Sequence, residues 1–97
     1  MSKYVVMYRY TGKTDEAPGL VDSHIDHLKK LRQEGILFLC GLLKENDGAM
    51  LILEADSFGE AEGYILRDPL VDQEFYRYEI YEFIEANEEN NFLLEDV

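Results

Sequence analysis

A histidine in an apolar helical stripe is the first residue of this sequence that could perform chemistry. At about 100° per residue, His24 falls on the same side of a predicted helix as five small or apolar residues: Leu20, Val21, Leu28, Leu31 and Gly35. A histidine in that position must either find a hydrogen-bond partner or open onto a cavity. The first alternative is a structural histidine. In the second, the positive end of the helix dipole disfavours imidazolium, so a neutral His24 could act as a general base.

Asp68 is the second candidate, because its predicted position is unfavourable for a carboxylate. We expect it at the C-terminal end of the second helix, at the negative end of the dipole, and Pro69 should hold it outside the α region. It belongs either to an ordinary Asp-Pro turn or to a pair with a cation. If the two helices lie antiparallel on one sheet face, Asp68 could orient the His24 ring and stabilise its charged form. We therefore predict His24 and Asp68 as the catalytic pair.

Other reactive residue types are weaker candidates. His27 lies roughly 60° from His24 around the helix and Asp26 points away from both, so we predict no metal site. Cys40, the only cysteine, lies in an apolar predicted strand, which favours a core role over that of a nucleophile. No glycine-rich phosphate loop is present, and we predict no cofactor. The tyrosines of the strands either pack or line a pocket for an aromatic ligand: Tyr4, Tyr8, Tyr10, Tyr76, Tyr78 and Tyr81.

The first half of the chain predicts a strand, a helix and a second strand. Residues 3–10 (KYVVMYRY) are rich in β-branched and aromatic side chains, and residues 11–19 have loop composition. A helix is predicted over 20–34, with Gly35 as its left-handed C-terminal cap. Residues 36–43 (ILFLCGLL) are short and almost entirely apolar, which indicates a buried strand.

The second half repeats the pattern in the order strand, helix, strand. Asn46-Asp47-Gly48 is a hairpin turn signal that leads into a strand over 49–55. Ser57 and Glu60 form a capping box that opens a second helix, which Pro69 must terminate. Residues 77–85 (RYEIYEFIE) form the fourth strand.

The resulting order β-α-β-β-α-β predicts an α+β, ferredoxin-like fold with a four-stranded antiparallel sheet and both helices on one face. A sheet with one solvated face should alternate apolar and polar residues, but the second and third strands are apolar on both faces. A second copy related by a two-fold axis is the simplest cover for the free face. We therefore expect a homodimer with the two sheets stacked face to face.

Size and charge limit the remaining possibilities. The 97 residues predict one domain over 1–86 and an acidic tail over 87–97, whose Phe92-Leu93-Leu94 either clips onto the partner or frays. A net charge of -12 argues against binding nucleic acid or anionic membranes, and no stretch is apolar enough to span a bilayer. The chain enters strand-like sequence without a secretory leader, so we expect the cytoplasm.

Several of these residues resemble the pattern of the YciI-like (YCII-related) family over nearly the whole chain: His24-x3-Leu28-x2-Leu31-x3-Gly35-x-Leu37-x3-Gly41, with Asp68-Pro69 downstream and an aromatic-rich last strand. The resemblance implies a ferredoxin-like fold that dimerises as an α+β barrel. It also implies a His–Asp pair proposed to be catalytic, at positions that match His24 and Asp68. One relative removes hydrogen chloride from a chlorinated aromatic diol, and related barrels include muconolactone isomerases and small monooxygenases.

Three departures from the family pattern concern the pocket. Many relatives have Gly-Pro where this chain has Gly41-Leu42, an arginine where it has Val21, and an aromatic residue where it has Leu70. These changes predict a different ligand or a reshaped pocket wall.

Two functions remain open on the sequence. The first is a cofactor-independent lyase or isomerase of a small organic molecule, in which His24 moves a proton and Asp68 orients it. The alternative is a non-catalytic dimeric module that binds a small ligand or a partner protein. Whether both side chains line one open pocket separates the two.

Overall fold

The computed structural model describes residues 1–44 and 48–93. Its elements, in chain order, are β1 (Ser2–Tyr10), α1 (Leu20–Gln33), β2 (Leu37–Leu42), β3 (Gly48–Ala55), α2 (Phe58–Leu66), α3 (Pro69–Asp72) and β4 (Tyr76–Phe83). A kinked 3-10 segment, Glu88–Leu93, follows. The predicted turn residues Asn46 and Asp47 lie outside the described residues, whereas Gly48 belongs to β3.

The four strands form one antiparallel sheet in the order β2-β3-β1-β4. On β1, Tyr4, Val6 and Tyr8 are buried in alternation, and Val6 and Tyr8 belong to the same core as Leu31 of α1 and Ile65 of α2. Side chains two residues apart share a face of a strand, so both helices cover the same face of the sheet. This arrangement confirms the predicted α+β, ferredoxin-like fold.

Two glycines set the ends of α1. Gly19 precedes the helix with a left-handed φ of 80°, and Gly35 follows it with a φ of 77°, as predicted for a C-terminal cap. The Ile36 N–H donates to the carbonyl of Leu31 at 2.9 Å, which turns the chain towards β2. The buried stripe is narrower than predicted, because Val21 is 44% exposed.

The segment after α2 corrects the sequence interpretation of Asp68. Ser57 caps α2 as predicted, accepting the Glu60 N–H at 3.1 Å, but the helix already ends at Leu66. Pro69 does not merely end a helix: it begins α3, with Asp68 as the N-cap. Asp68 directly follows Arg67, the C-cap of α2, as predicted, but it also caps α3, which the sequence interpretation missed. Proline is favoured at the first helical position, where no backbone N–H is needed.

In the single chain, β2 is not the buried strand that the sequence predicts. Leu37 is buried, but the residues from Phe38 to Leu42 are exposed. The cause is position, because β2 is an edge strand and a bulge interrupts its register with β3 between Leu37 and Leu39. Cys40 is consequently exposed and has no core role.

The sheet face away from the helices carries an apolar centre, which we call the open face. Its middle holds the cross-strand pairs Val5↔Ile52 and Met7↔Met50. Val5 also pairs with Tyr81, which is 55% exposed. An apolar second face was expected from the sequence of β2 and β3, and β1 and β4 extend it.

The chain after β4 contributes little to the core. Phe92 and Leu93 of the 3-10 segment are about half exposed, and Leu94 lies outside the described residues. The proposed boundary at residue 86 stays a prediction. In the described part of the chain, no helix is long and apolar enough to cross a membrane.

Candidate active site

The structure brings His24 and Asp68 into direct contact. The Nδ1 atom of His24 lies 2.8 Å from Oδ1 and 2.9 Å from Oδ2 of Asp68, although 44 residues separate them in sequence. His24 lies on the second turn of α1 and Asp68 precedes α3, which packs against α1. The approach was predicted, but the start of α3 supplies the carboxylate.

The Asp68 carboxylate is fully buried and held by three donors. In addition to His24, the Leu70 N–H donates to Oδ1 at 3.0 Å and the Tyr8 hydroxyl donates to Oδ2 at 2.9 Å. A buried carboxylate without such donors would cost several kcal/mol. The three donors come from β1, α1 and α3, so the carboxylate joins the sheet to α1 and α3.

Tyr8 acts on Asp68 as a hydrogen-bond donor at any ordinary pH. Burial, and then the negative charge of Asp68, raise the pKa of the Tyr8 hydroxyl far above its usual value. The ring is held as well, because it stacks on Tyr76 with centroids 5.2 Å apart and planes at 16°. The hydroxyl proton of Tyr8 is therefore committed to Asp68.

His24 also lines a cavity. Because a carboxylate only accepts hydrogen bonds, Nδ1 of His24 carries a proton, and in the neutral ring the lone pair therefore lies on Nε2. Nε2 has no hydrogen-bond partner in the part of the chain that the structure describes. His24 lines a cavity of about 200 Å³ together with mostly apolar or aromatic side chains, which include Tyr8, Leu28, Cys40, Leu42, Leu51 and Tyr76. This arrangement can accept a proton from a bound molecule.

His27 has a structural role in this arrangement. Its Nε2–H donates to the carbonyl of Tyr64 at 2.9 Å, which ties α1 to α2. Residues 1–44 and 48–93 contain no group of three His, Cys, Asp or Glu side chains that could hold a metal ion. His27 lies on the same helix as His24 but does not line the cavity, so it can serve as a control for substitutions of His24.

Two of the residues that differ from the family pattern, Leu42 and Leu70, lie in different places relative to the cavity. Leu42 lies at the cavity and is 83% exposed, whereas Leu70 packs with Leu20 and Phe75 and does not line the cavity. Of the predicted tyrosines, Tyr8 and Tyr76 line it. A larger depression of about 580 Å³ also borders Tyr76, but neither His24 nor Asp68 lines it.

Sequence reasoning missed the hydrogen bond from Tyr8 to Asp68 and the position of Cys40 at the cavity. Tyr8 could have been found from the alternation of β1, which directs it to the helices with Tyr4 and Val6. Cys40 lines the cavity because β2 is an edge strand, and no local pattern signals strand order.

Comparison with known proteins places this chain in a family. The YCII-related domain matches residues 2–84. The chain belongs to the YCII-related family. Among curated protein sequences, none matches this chain significantly.

Two solved structures share the fold of this family member. Muconolactone isomerase is 11% identical with a TM-score of 0.73, covering 89% of this chain and 92% of that one. The 5-chloro-2-hydroxyhydroquinone dehydrochlorinase of Burkholderia phenoliruptrix, in complex with 2,5-dihydroxybenzoquinone, is 20% identical with a TM-score of 0.58. That match covers 91% of this chain and 99% of the dehydrochlorinase. Both matches show the α+β, ferredoxin-like fold that the sequence predicts.

Proposed function

We propose that this YCII-related protein is a cofactor-independent lyase or isomerase of a small organic molecule, with His24 as its general base. One observation carries the proposal: Nδ1 of His24 is held by the buried Asp68 carboxylate, and the same residue lines a cavity. Proton transfer of this kind needs a base and a means of stabilising its charged form, and the pair supplies both.

The proposed reaction begins when Nε2 of His24 takes a proton from a carbon or oxygen of the bound molecule. The resulting imidazolium is stabilised by Asp68, which does not move because Tyr8 and Leu70 also hold it. In an isomerase, His24 returns the proton to another atom of the substrate. In a lyase, the electron pair left by the proton expels a leaving group.

The structures that share the fold support this class of reaction. A dehydrochlorinase removes hydrogen and chloride, and an isomerase of a lactone relocates hydrogen, so a proton acceptor serves both. Because fold alone does not determine function, the support rests on the geometry of His24 and Asp68.

The decisive experiment compares wild type with His24→Ala on a panel of hydroxyaromatics and lactones. We expect turnover of at least one compound to fall about 10²–10⁴-fold in the variant. His27→Gln is the matched control, because His27 lies on the same helix but bonds to a backbone carbonyl. Turnover that survives in His24→Ala removes the proposed base. Binding without turnover in wild type favours the non-catalytic module.

We also propose that two copies pair through the open face, as the sequence analysis expects. Phe38 and Leu39 of β2 and Tyr81 of β4 are each about half exposed around the apolar pairs at its centre. Burying this area at roughly 25 cal/mol per Å² favours association of two copies. Analytical ultracentrifugation should give a dimer for wild type and a monomer for Leu39→Lys, and a monomeric wild type would exclude the pairing.

A further inference from the structure

We infer that the His24 cavity selects an uncharged molecule with a single ring and rejects the same molecule when it bears a carboxylate. The inference rests on the proposed function, because it names the substrate class of the same cavity. Its basis is the size of the cavity and the hydrogen-bond donors and charges that line it.

The cavity has room for one ring. Its volume is about 200 Å³, and an apolar cavity of about 150 Å³ accommodates benzene. A six-membered ring with a few small substituents therefore fits. Leu42 and Cys40 line the cavity and are exposed, so they mark its opening.

The lining offers an anion almost nothing to bind. The Tyr8 hydroxyl already donates to Asp68, and Tyr76 is engaged with other residues, including Tyr8. The Cys40 thiol is a weak donor. No lysine or arginine is among the described residues that line the cavity. Among the lining side chains that the structure describes, His24 alone presents a strong and uncommitted polar group, at Nε2.

The charge of the dyad does not compensate for this lack of donors. When His24 is protonated, the buried Asp68 carboxylate next to it makes the pair neutral overall. When His24 is neutral, the pair carries the negative charge of Asp68. In neither state does a substrate carboxylate meet a net positive charge, although it must leave water to enter. A hydroxyl group, in contrast, can donate to Nε2 without bringing a charge.

The first experiment compares two ligands of nearly equal shape, 3,4-dihydroxybenzamide and 3,4-dihydroxybenzoate. Binding to the full chain at pH 7 is measured by titration calorimetry, and the His24 ring and Cys40 amide signals locate it by NMR. We expect the amide to bind in the cavity and the carboxylate to bind about tenfold or more weakly. Equal affinities, tighter binding of the carboxylate, or no binding of either ligand in the cavity would each overturn the inference.

A variant that adds a cationic side chain tests whether the lack of a cation at the cavity causes the rejection of carboxylates. Val21 lies one turn before His24 and is 44% exposed, so an arginine there adds a cation beside the dyad. Val21→Arg should reduce the preference for the amide about tenfold. Gln33→Arg adds the same charge on the opposite side of α1 and should leave the preference unchanged. A preference that both variants change equally, or that neither variant changes, contradicts the role of the missing cation.

The binding experiments can succeed or fail independently of the test for catalysis by His24. If the amide binds preferentially and no hydroxyaromatic is turned over, the substrate class stands as a ligand class and the proposed function fails. If turnover depends on His24 but carboxylates are accepted equally, the proposed function stands and this inference fails.

Discussion

Replacing Tyr8 by phenylalanine removes one of three hydrogen bonds to a fully buried carboxylate while keeping the ring. The bond joins the Tyr8 hydroxyl to Oδ2 of Asp68 at 2.9 Å, and both residues have at most 1% of their surface exposed. A hydrogen bond to a charged group contributes about 1.5–3 kcal/mol to stability. We expect Tyr8→Phe to reduce the free energy of unfolding by this amount at pH 8.

The pKa of Tyr8 adds a dependence on pH that a loss of packing would not produce. In the unfolded chain a tyrosine ionises at about pH 10, whereas in the folded protein burial and Asp68 raise the pKa of Tyr8 well above that value. The contribution of Tyr8 is therefore complete below pH 10 and falls as the pH rises further, because the unfolded state alone releases the proton. Between pH 8 and pH 10.5 the cost of Tyr8→Phe should shrink by about 0.8 kcal/mol.

Urea unfolding of both proteins at the two pH values measures this difference. Tyr4→Phe is the matched control, because Tyr4 lies on the same strand and face but forms no hydrogen bond to Asp68. Its cost at pH 8 should be small. If Tyr8→Phe costs no more than Tyr4→Phe at pH 8, or if its cost is the same at pH 10.5, the assignment of Tyr8 as a donor to Asp68 is wrong.

Three further substitutions test the site and the elements that support it. Asp68→Asn should lower kcat/KM about 10²–10⁴-fold in whichever reaction the panel identifies, because an amide cannot stabilise an imidazolium, and unchanged kinetics would contradict the dyad. Ser57→Ala removes the N-cap of α2 and should cost about 1 kcal/mol in urea unfolding, with no effect on ligand binding. Gly48→Ala should cost roughly 1–3 kcal/mol in the same assay, because its Cβ would collide with the backbone carbonyl of Tyr8.

The order of the elements and their approximate bounds could be predicted because they depend on local patterns. The alternation of β1, the capping box at Ser57 and the cap at Gly35 each depend on residues within one or two turns of each other. The pairing of His24 with Asp68 followed from two facts: a polar residue in an apolar stripe needs a partner, and this fold brings the ends of its helices together.

The errors concern features that local patterns do not specify. An apolar run does not distinguish a central strand from an edge strand, so β2 was predicted to be buried with Cys40 inside it. Pro69 is compatible both with the end of one helix and with the first turn of the next. Here Pro69 begins the next helix, so the carboxylate of Asp68 has the favourable environment of an N-cap.

That environment explains why a base can be placed here without a strained or unpaired charge. If Asp68 only followed α2 and did not also cap α3, its carboxylate would depend more heavily on His24 for stabilisation. Deprotonation of the imidazolium would then leave a buried charge poorly stabilised. Because Leu70 and Tyr8 stabilise the carboxylate independently, His24 can gain and lose a proton while Asp68 remains in place. A residue that cycles between two charge states needs a fixed partner whose stability does not depend on it. Under the proposed function, the bonds from Tyr8 and Leu70 provide that condition, and the substrate would bind in the cavity that His24 lines.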